Sequence, residues 1–105
     1  MPGVDLNYFI RQANKLTEKI EERRTKLAEE TVEAQAGDGR VTVVATGART
    51  VRSIKIDPKL IDPADPAMLE DLVTAAVNAA LEKASDYEKR ELGKVSGGVK
   101  IPGIT

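Results

Sequence analysis

Apolar residues recur at the start of the chain at alternating spacings of three and four, at Leu6, Phe9, Ala13, Leu16, Ile20 and, seven residues further on, Leu27. That period sets them on one stripe of an α-helix with the character of a heptad seam. Asp5 precedes the run and carries a side chain able to accept from the orphan amides of a first turn, so a helix is predicted from residue 5 to about residue 27 or 29. At about 1.5 Å per residue it is roughly 35 Å long, more than a small sheet can cover, so part of it projects or finds a partner helix. From Thr31 the period falls to two. Val32, Ala34 and Ala36 alternate with Thr31, Glu33 and Gln35, as a half-buried strand requires. Gly37-Asp38-Gly39 supplies a hairpin turn. A second strand follows over 40–46, Gly47-Ala48 offers a second tight connection, and a third strand spans 50–56.

Within these strands Val41, Val43 and Ala45 share a face, while Thr42, Val44 and Thr46 share the other. Ile54 and Ile56 fall together, and strict alternation sends Val51 the opposite way. Apolar groups on both faces call for cover on both sides, which dimerisation would supply. Asp57-Pro58 ends the third strand, and Pro58, Pro63 and Pro66 delay the next helix. Asp65 then caps a helix with Pro66 at its first position, running to about residue 92 before Gly93. Its buried face is predicted to hold Leu69, Leu72, Val73, Ala76, Val77, Ala80 and Ala84. The fold class is α+β: long helix, three-stranded antiparallel meander, long helix. Residues 1–92 read as a single domain. Residues 93–105 read as a glycine-containing tail, partly mobile, in which Val99, Ile101 and Ile104 are available to dock.

Composition narrows the function. A chain of 105 residues with 41% hydrophobic and 31% charged residues fits one small soluble domain with a thin core. Histidine, cysteine and tryptophan are absent, which removes the commonest catalytic base, the thiol nucleophile and thiolate metal ligands. Ser53, Ser85 and Ser96 stand in no nucleophile elbow, and Gly37-Asp38-Gly39 lacks the lysine and hydroxyl of a phosphate loop. The acid pairs Glu21-Glu22, Glu29-Glu30 and Glu70-Asp71 sit on helices, where neighbours point about 100° apart and do not converge on one ion. The reading is a non-enzyme with no cofactor, no metal and no small-molecule substrate. No apolar run approaches the roughly 20 residues of a membrane span, and no secretory signal opens the chain, so a cytoplasmic location is expected.

The 16 basic residues nearly balance the 17 acidic ones, yet they are sorted by position. On the first helix Arg11, Lys15, Lys19, Arg23 and Lys26 occupy about a third of the circumference, opposite the apolar stripe. Glu18 and Glu22 border them at separations suited to pairing with Lys15, Lys19 or Lys26. Residues 38–59 carry Arg40, Arg49, Arg52, Lys55 and Lys59 against only Asp38 and Asp57. On the second helix Lys83, Arg90 and Lys94 lie within about 40° of one another. By pattern alone these rows suit either phosphate contacts or an ordinary solvated face with snorkelling lysines.

The order of elements, the segment Val51-Arg52-Ser53-Ile54-Lys55-Ile56-Asp57-Pro58, then Leu69-Glu70-Asp71-Leu72 and Ala75-Ala76-Val77-Asn78-Ala79-Ala80, with Gly97-Gly98 near the end, resemble the YbaB/EbfC family of bacterial nucleoid-associated DNA-binding proteins. The start lacks the family's glycine- and lysine-rich stretch, and the tail is short and lacks its usual methionine. The resemblance implies an α-β-β-β-α homodimer whose sheets form the body and whose helices project like tweezers around double-stranded DNA, with weak sequence preference. It also implies a nucleoid location and a role in compacting or protecting DNA and modulating transcription. Carried onto matching helix positions, the implied contacts are Arg11, Lys15, Lys19 and Arg23 on the first helix and Lys83, Lys89 and Arg90 on the second. The competing reading is a protein-interaction scaffold that uses the helical seam.

Overall fold

The computed structural model describes residues 5–97. Helix α1 spans Leu6–Leu27, strands β1, β2 and β3 span Thr31–Ala36, Val41–Thr46 and Val51–Ile56, a single 3-10 turn covers Pro58–Leu60, and helix α2 spans Pro66–Val95. The strands form one antiparallel sheet in the order β1-β2-β3. The predicted α-β-β-β-α order is the observed one. Both helix starts follow from the sequence: Asp5 accepts from the Tyr8 amide at 3.2 Å, and Asp65 accepts from the Met68 amide at 3.3 Å with Pro66 beside it. At its far end α2 runs past Gly93 to Val95 and stops where Gly97 takes a φ of +65°. An isolated glycine costs a helix only about 1 kcal/mol, and Leu92 and Val95 continue the packed face on either side of it. The expectation of a partly mobile tail falls almost wholly outside the described residues.

α2 lies across β1 and β2 and barely touches β3. Val41, Val43, Ala45, Ala76, Ala80 and Ala84 are fully buried between helix and sheet, with Leu60 closing one end. The alanines let the helix backbone approach the sheet closely, so a thin core is still well packed. One residue points the other way from its prediction. Between Val44 and Ala45 the β2-β3 register slips, so that Val44 faces Ser53 while Ala45 faces Val51. The extra residue of this bulge restores Val51 to the core side beside Ile56, where simple alternation had sent it outward.

The two turns use glycine for different reasons. In the first, Gly37, Asp38 and Gly39 all have positive φ, at 64°, 56° and 83°, and Arg40 closes the loop onto the Gly37 carbonyl. In the second the left-handed residue is Arg49, with a φ of 62°. Gly47 is needed for space: a Cβ there would lie 2.7 Å from the Leu27 carbonyl oxygen. Its amide donates to Glu30 at 2.9 Å, so this turn is pressed against the end of α1.

Because α2 is longer than the sheet, its second half needs separate cover. α1 provides it, running antiparallel and packing Leu16, Ile20 and Leu27 against Tyr87, Leu92 and Val95. Ion pairs flank this seam on both sides. On one side the Arg23 guanidinium donates to both oxygens of Glu30 and, at 2.7 Å, to Glu91, while the Tyr87 hydroxyl donates to Glu30 and Lys94 donates to Glu91 at 2.6 Å. On the other, Glu88 meets Arg49 at 3.5 Å and Arg24 at 3.9 Å. The hydrogen bonds from Arg23 and Tyr87 pull the Glu30 carboxyl down to about 2. Lys94 and Arg23 lower that of Glu91, Glu30 raises the Tyr87 phenol, and Arg23 is held more firmly protonated by Glu30 and Glu91. The molecule is accordingly a rod, 78 Å long and 20 by 16 Å across.

Two outcomes follow from this packing. Gly47→Ala is expected to destabilise the protein by about 1 to 3 kcal/mol through forced contact with Leu27, read as a lower denaturant midpoint. The ion cluster sets the pH dependence. A carboxylate whose folded value is depressed contributes stability above its unfolded value and loses it as pH falls toward the folded one. A phenol whose folded value is raised contributes below its unfolded value and loses that contribution as pH climbs through the folded one. Thermal midpoints are expected to fall between pH 4.5 and about 2 as Glu30 protonates, and to fall again above pH 10.0 as Tyr87 ionises. In a Glu30→Gln variant the acid limb should shrink, and stability at neutral pH should drop.

Candidate nucleic-acid interface

Charge and seam are separated around α1. Arg11, Lys15 and Lys19 follow one another at steps of four residues, about 6 Å apart along the axis, and all three side chains are exposed. None of the three takes part in an ion pair among the described residues. The pairs expected of Glu18 and Glu22 with the stripe lysines do not form; the intrahelical pair is Glu21 with Arg24 at 3.9 Å. The row is thus left open to solvent along the part of α1 that stands clear of the sheet.

Arg23 continues the row in sequence but differs in environment. By helical arithmetic it lies about 20° from Leu16, at the edge of the stripe nearest the seam, and its guanidinium is turned inward onto Glu30 and Glu91. Its side chain is only 20% exposed. That inward pair also fixes how the helices face one another. Glu91 is held in turn by Lys94 on the same helix at 2.6 Å. Lys19, Glu22, Arg23, Lys26 and Val95 line a shallow cleft.

The α2 positions are spread out. Arg90 is exposed, with its guanidinium 6.0 Å from the centre of the Tyr87 ring, a stacking that orients it beside the ion cluster. Lys89 is exposed but points about 100° away from Arg90 around the helix. Lys83 lies over the sheet, where its amine donates to the Glu33 carbonyl at 2.9 Å on the edge strand β1. The structure sets Arg11, Lys15 and Lys19 in one exposed row on α1, with Arg90 beside Tyr87, Lys83 turned onto β1 and Lys89 exposed on α2. Sequence patterning missed the cross-linking role of Arg23, Arg24 and Arg49, whose partners Glu88 and Glu91 are remote in the chain.

Nothing in this arrangement is assembled for metal chemistry: among the described residues no cluster of three or more acidic side chains could hold an ion. No helix among them is long and apolar enough to cross a membrane.

Comparison with known proteins agrees with the geometry. Residues 1–99 match the model of the YbaB/EbfC DNA-binding family. A nucleoid-associated protein of Myxococcus xanthus is 74% identical over the full length of both chains. Another, from Anaeromyxobacter dehalogenans, is 50% identical over 101 residues, covering 96% of this chain and 98% of the other. The crystal structure of an uncharacterized protein from Helicobacter pylori superposes with a TM-score of 0.78 at 16% identity, over 90% of this chain and 100% of that one, which supports the fold alone. The chain belongs to the YbaB/EbfC DNA-binding family.

Proposed function

We propose that the protein is a nucleoid-associated homodimer that grips double-stranded DNA by its phosphate backbone. The observation that carries the reading is the row Arg11, Lys15 and Lys19: exposed, outside every ion pair among the described residues, and evenly stepped along a projecting helix, in a member of a DNA-binding family. Arg90 joins the row from α2, and Lys89 and Lys83 extend the contacts around and behind it. Arg23 acts as a positioning residue, holding the two helices in the relation that aligns their cations. Because phosphate contacts position a duplex without reading its bases, sequence preference is weak, and the consequence is compaction or protection of DNA in the cytoplasmic nucleoid, with transcription modulated secondarily.

The dimer is supported by what the protomer leaves bare. β1 has Lys83 across its edge, whereas α2 barely reaches β3. Ile54 is 44% exposed, Ile61 57% and Met68 44%. Joining two protomers through β3 and these exposed apolar side chains covers them and duplicates the cation rows.

Sedimentation equilibrium is expected to give a dimer at tens of micromolar, and Ile54→Asp to shift it toward monomer. A folded wild-type monomer at that concentration would remove the dimer from the reading. For DNA, three or four phosphate contacts per protomer give six to eight per dimer and a log-log salt slope of about −5 to −7. In gel-shift titrations Lys15→Glu with Lys19→Glu is expected to weaken unrelated duplexes alike and flatten that slope, with the fold intact. Full affinity and an unchanged slope in this variant would take α1 out of the interface.

A further inference from the structure

Aromatic side chains are scarce in this chain, one phenylalanine and two tyrosines, and a thin core would ordinarily claim all three. Tyr87 is used in that way, half-buried in the seam with its hydroxyl donated to Glu30. Tyr8 and Phe9 are not. They stand side by side in the first turn of α1, 50% and 56% exposed. Around the helix Tyr8 falls about 20° from Lys15 and from Lys19 and about 60° from Arg11, so it lies on the basic row, whereas Phe9 lies on the apolar stripe. The two rings meet edge to face, with centroids 5.7 Å apart and planes at 76°, a contact that limits the arc through which Tyr8 swings. Tyr8 uses its amide, which donates to Asp5 at 3.2 Å, and its hydroxyl has no partner among the described residues. The surrounding charge is one-sided: from Leu6 to Thr17 the helix carries no acid, and the first one is Glu18.

We propose that Tyr8 is a further DNA-contacting residue, whose hydroxyl donates to a phosphate oxygen one step beyond Arg11. The inference rests on the reading of α1 as a phosphate-binding arm. A duplex backbone that follows Lys19, Lys15 and Arg11 toward the helix start arrives at Tyr8, about 16 Å from the level of Lys19 at the helical rise. Tyrosine hydroxyls donate to phosphate oxygens as lysines and arginines do, and such contacts fix register without reading bases. The contact nevertheless differs in kind from those of the cations. A phenol is a neutral donor, so it displaces no condensed counterion, and it adds affinity that salt does not remove. With Tyr8 at its end, the row holds the backbone by three charges and one directional hydrogen bond, and that bond sets where along the backbone the arm stops.

The test compares full-length wild type, Tyr8→Phe and Tyr8→Ala by fluorescence anisotropy on labelled duplexes of unrelated sequence, from about 50 to 200 mM salt. Thermal midpoints are expected to match, because Tyr8 stands outside the seam. Tyr8→Phe keeps the ring and its contact with Phe9 and removes only the hydroxyl. It is expected to weaken every duplex about three- to tenfold at each salt concentration, with the log-log slope of the wild type. Tyr8→Ala should weaken binding at least as much, again without changing the slope. Wild-type affinity in Tyr8→Phe would overturn the proposal, even beside a weak Tyr8→Ala, since the ring and not the hydroxyl would then make the contact. An altered slope in Tyr8→Phe would overturn it too, by showing that the change disturbs the cations. The underlying reading is tested apart by Lys15→Glu with Lys19→Glu. Full affinity and a wild-type slope there remove the arm and Tyr8 with it, whereas a flattened slope beside an inert Tyr8→Phe removes Tyr8 alone.

Discussion

The whole molecule depends on how the overhang of α2 is held. Its first half is fixed by the sheet, but its second half extends beyond it and, among the described residues, packs on α1. Leu27 and Leu92 are fully buried in that contact, each contributing about 1.5 to 3 kcal/mol by burial. A two-helix seam with few large side chains is free to slide or rotate, since apolar contact is not directional. Arg23 supplies the direction. Its planar fork engages Glu30 at the start of β1 and Glu91 on α2 together, which ties three elements at one point and sets the rotation of each helix.

That tie explains the two features of the second turn that alternation alone does not give. Gly47 has no side chain because the turn is pressed against Leu27. Arg49 accepts a left-handed backbone although it is not glycine, a cost offset where its guanidinium reaches Glu88 on the outer flank of the seam. Strain and close approach are both placed where the sheet meets the helix pair, and the seam is clamped from either side.

Most of the fold was legible in the sequence because it is written in periods and caps. The change from a three-four spacing to a two-residue one near Thr31 marked the helix-strand boundary, and Asp5 and Asp65 marked helix starts that the structure keeps. The face of Val51 was not legible. A bulge is a register event between two strands, and β3 alone contains no sign of it. The end of α2 was misplaced at Gly93 because a glycine reads as a stop until the packing of Leu92 and Val95 is known. For the interface, the exposed row of α1 was legible as a stripe. The inward turn of Arg23 was only hinted at by its position near Leu16, since Glu91 is 68 residues away in the chain.

The balance of 16 basic and 17 acidic residues gives no overall attraction to a polyanion, so any affinity for phosphate must come from where the charges stand. The structure separates them by assigning several acids an internal task. Glu30, Glu88 and Glu91 are consumed at the seam, where they neutralise Arg23, Arg24, Arg49 and Lys94. Among the described residues Arg11, Lys15 and Lys19 have no such partners, on the part of α1 that stands clear of the sheet. Those pairs leave the row Arg11, Lys15 and Lys19 outside the seam, on an arm that also carries Glu18, Glu21 and Glu22. Because screening reduces interactions beyond about 10 Å at ordinary salt, a phosphate near that arm responds to the cations and acids close to it and not to the total.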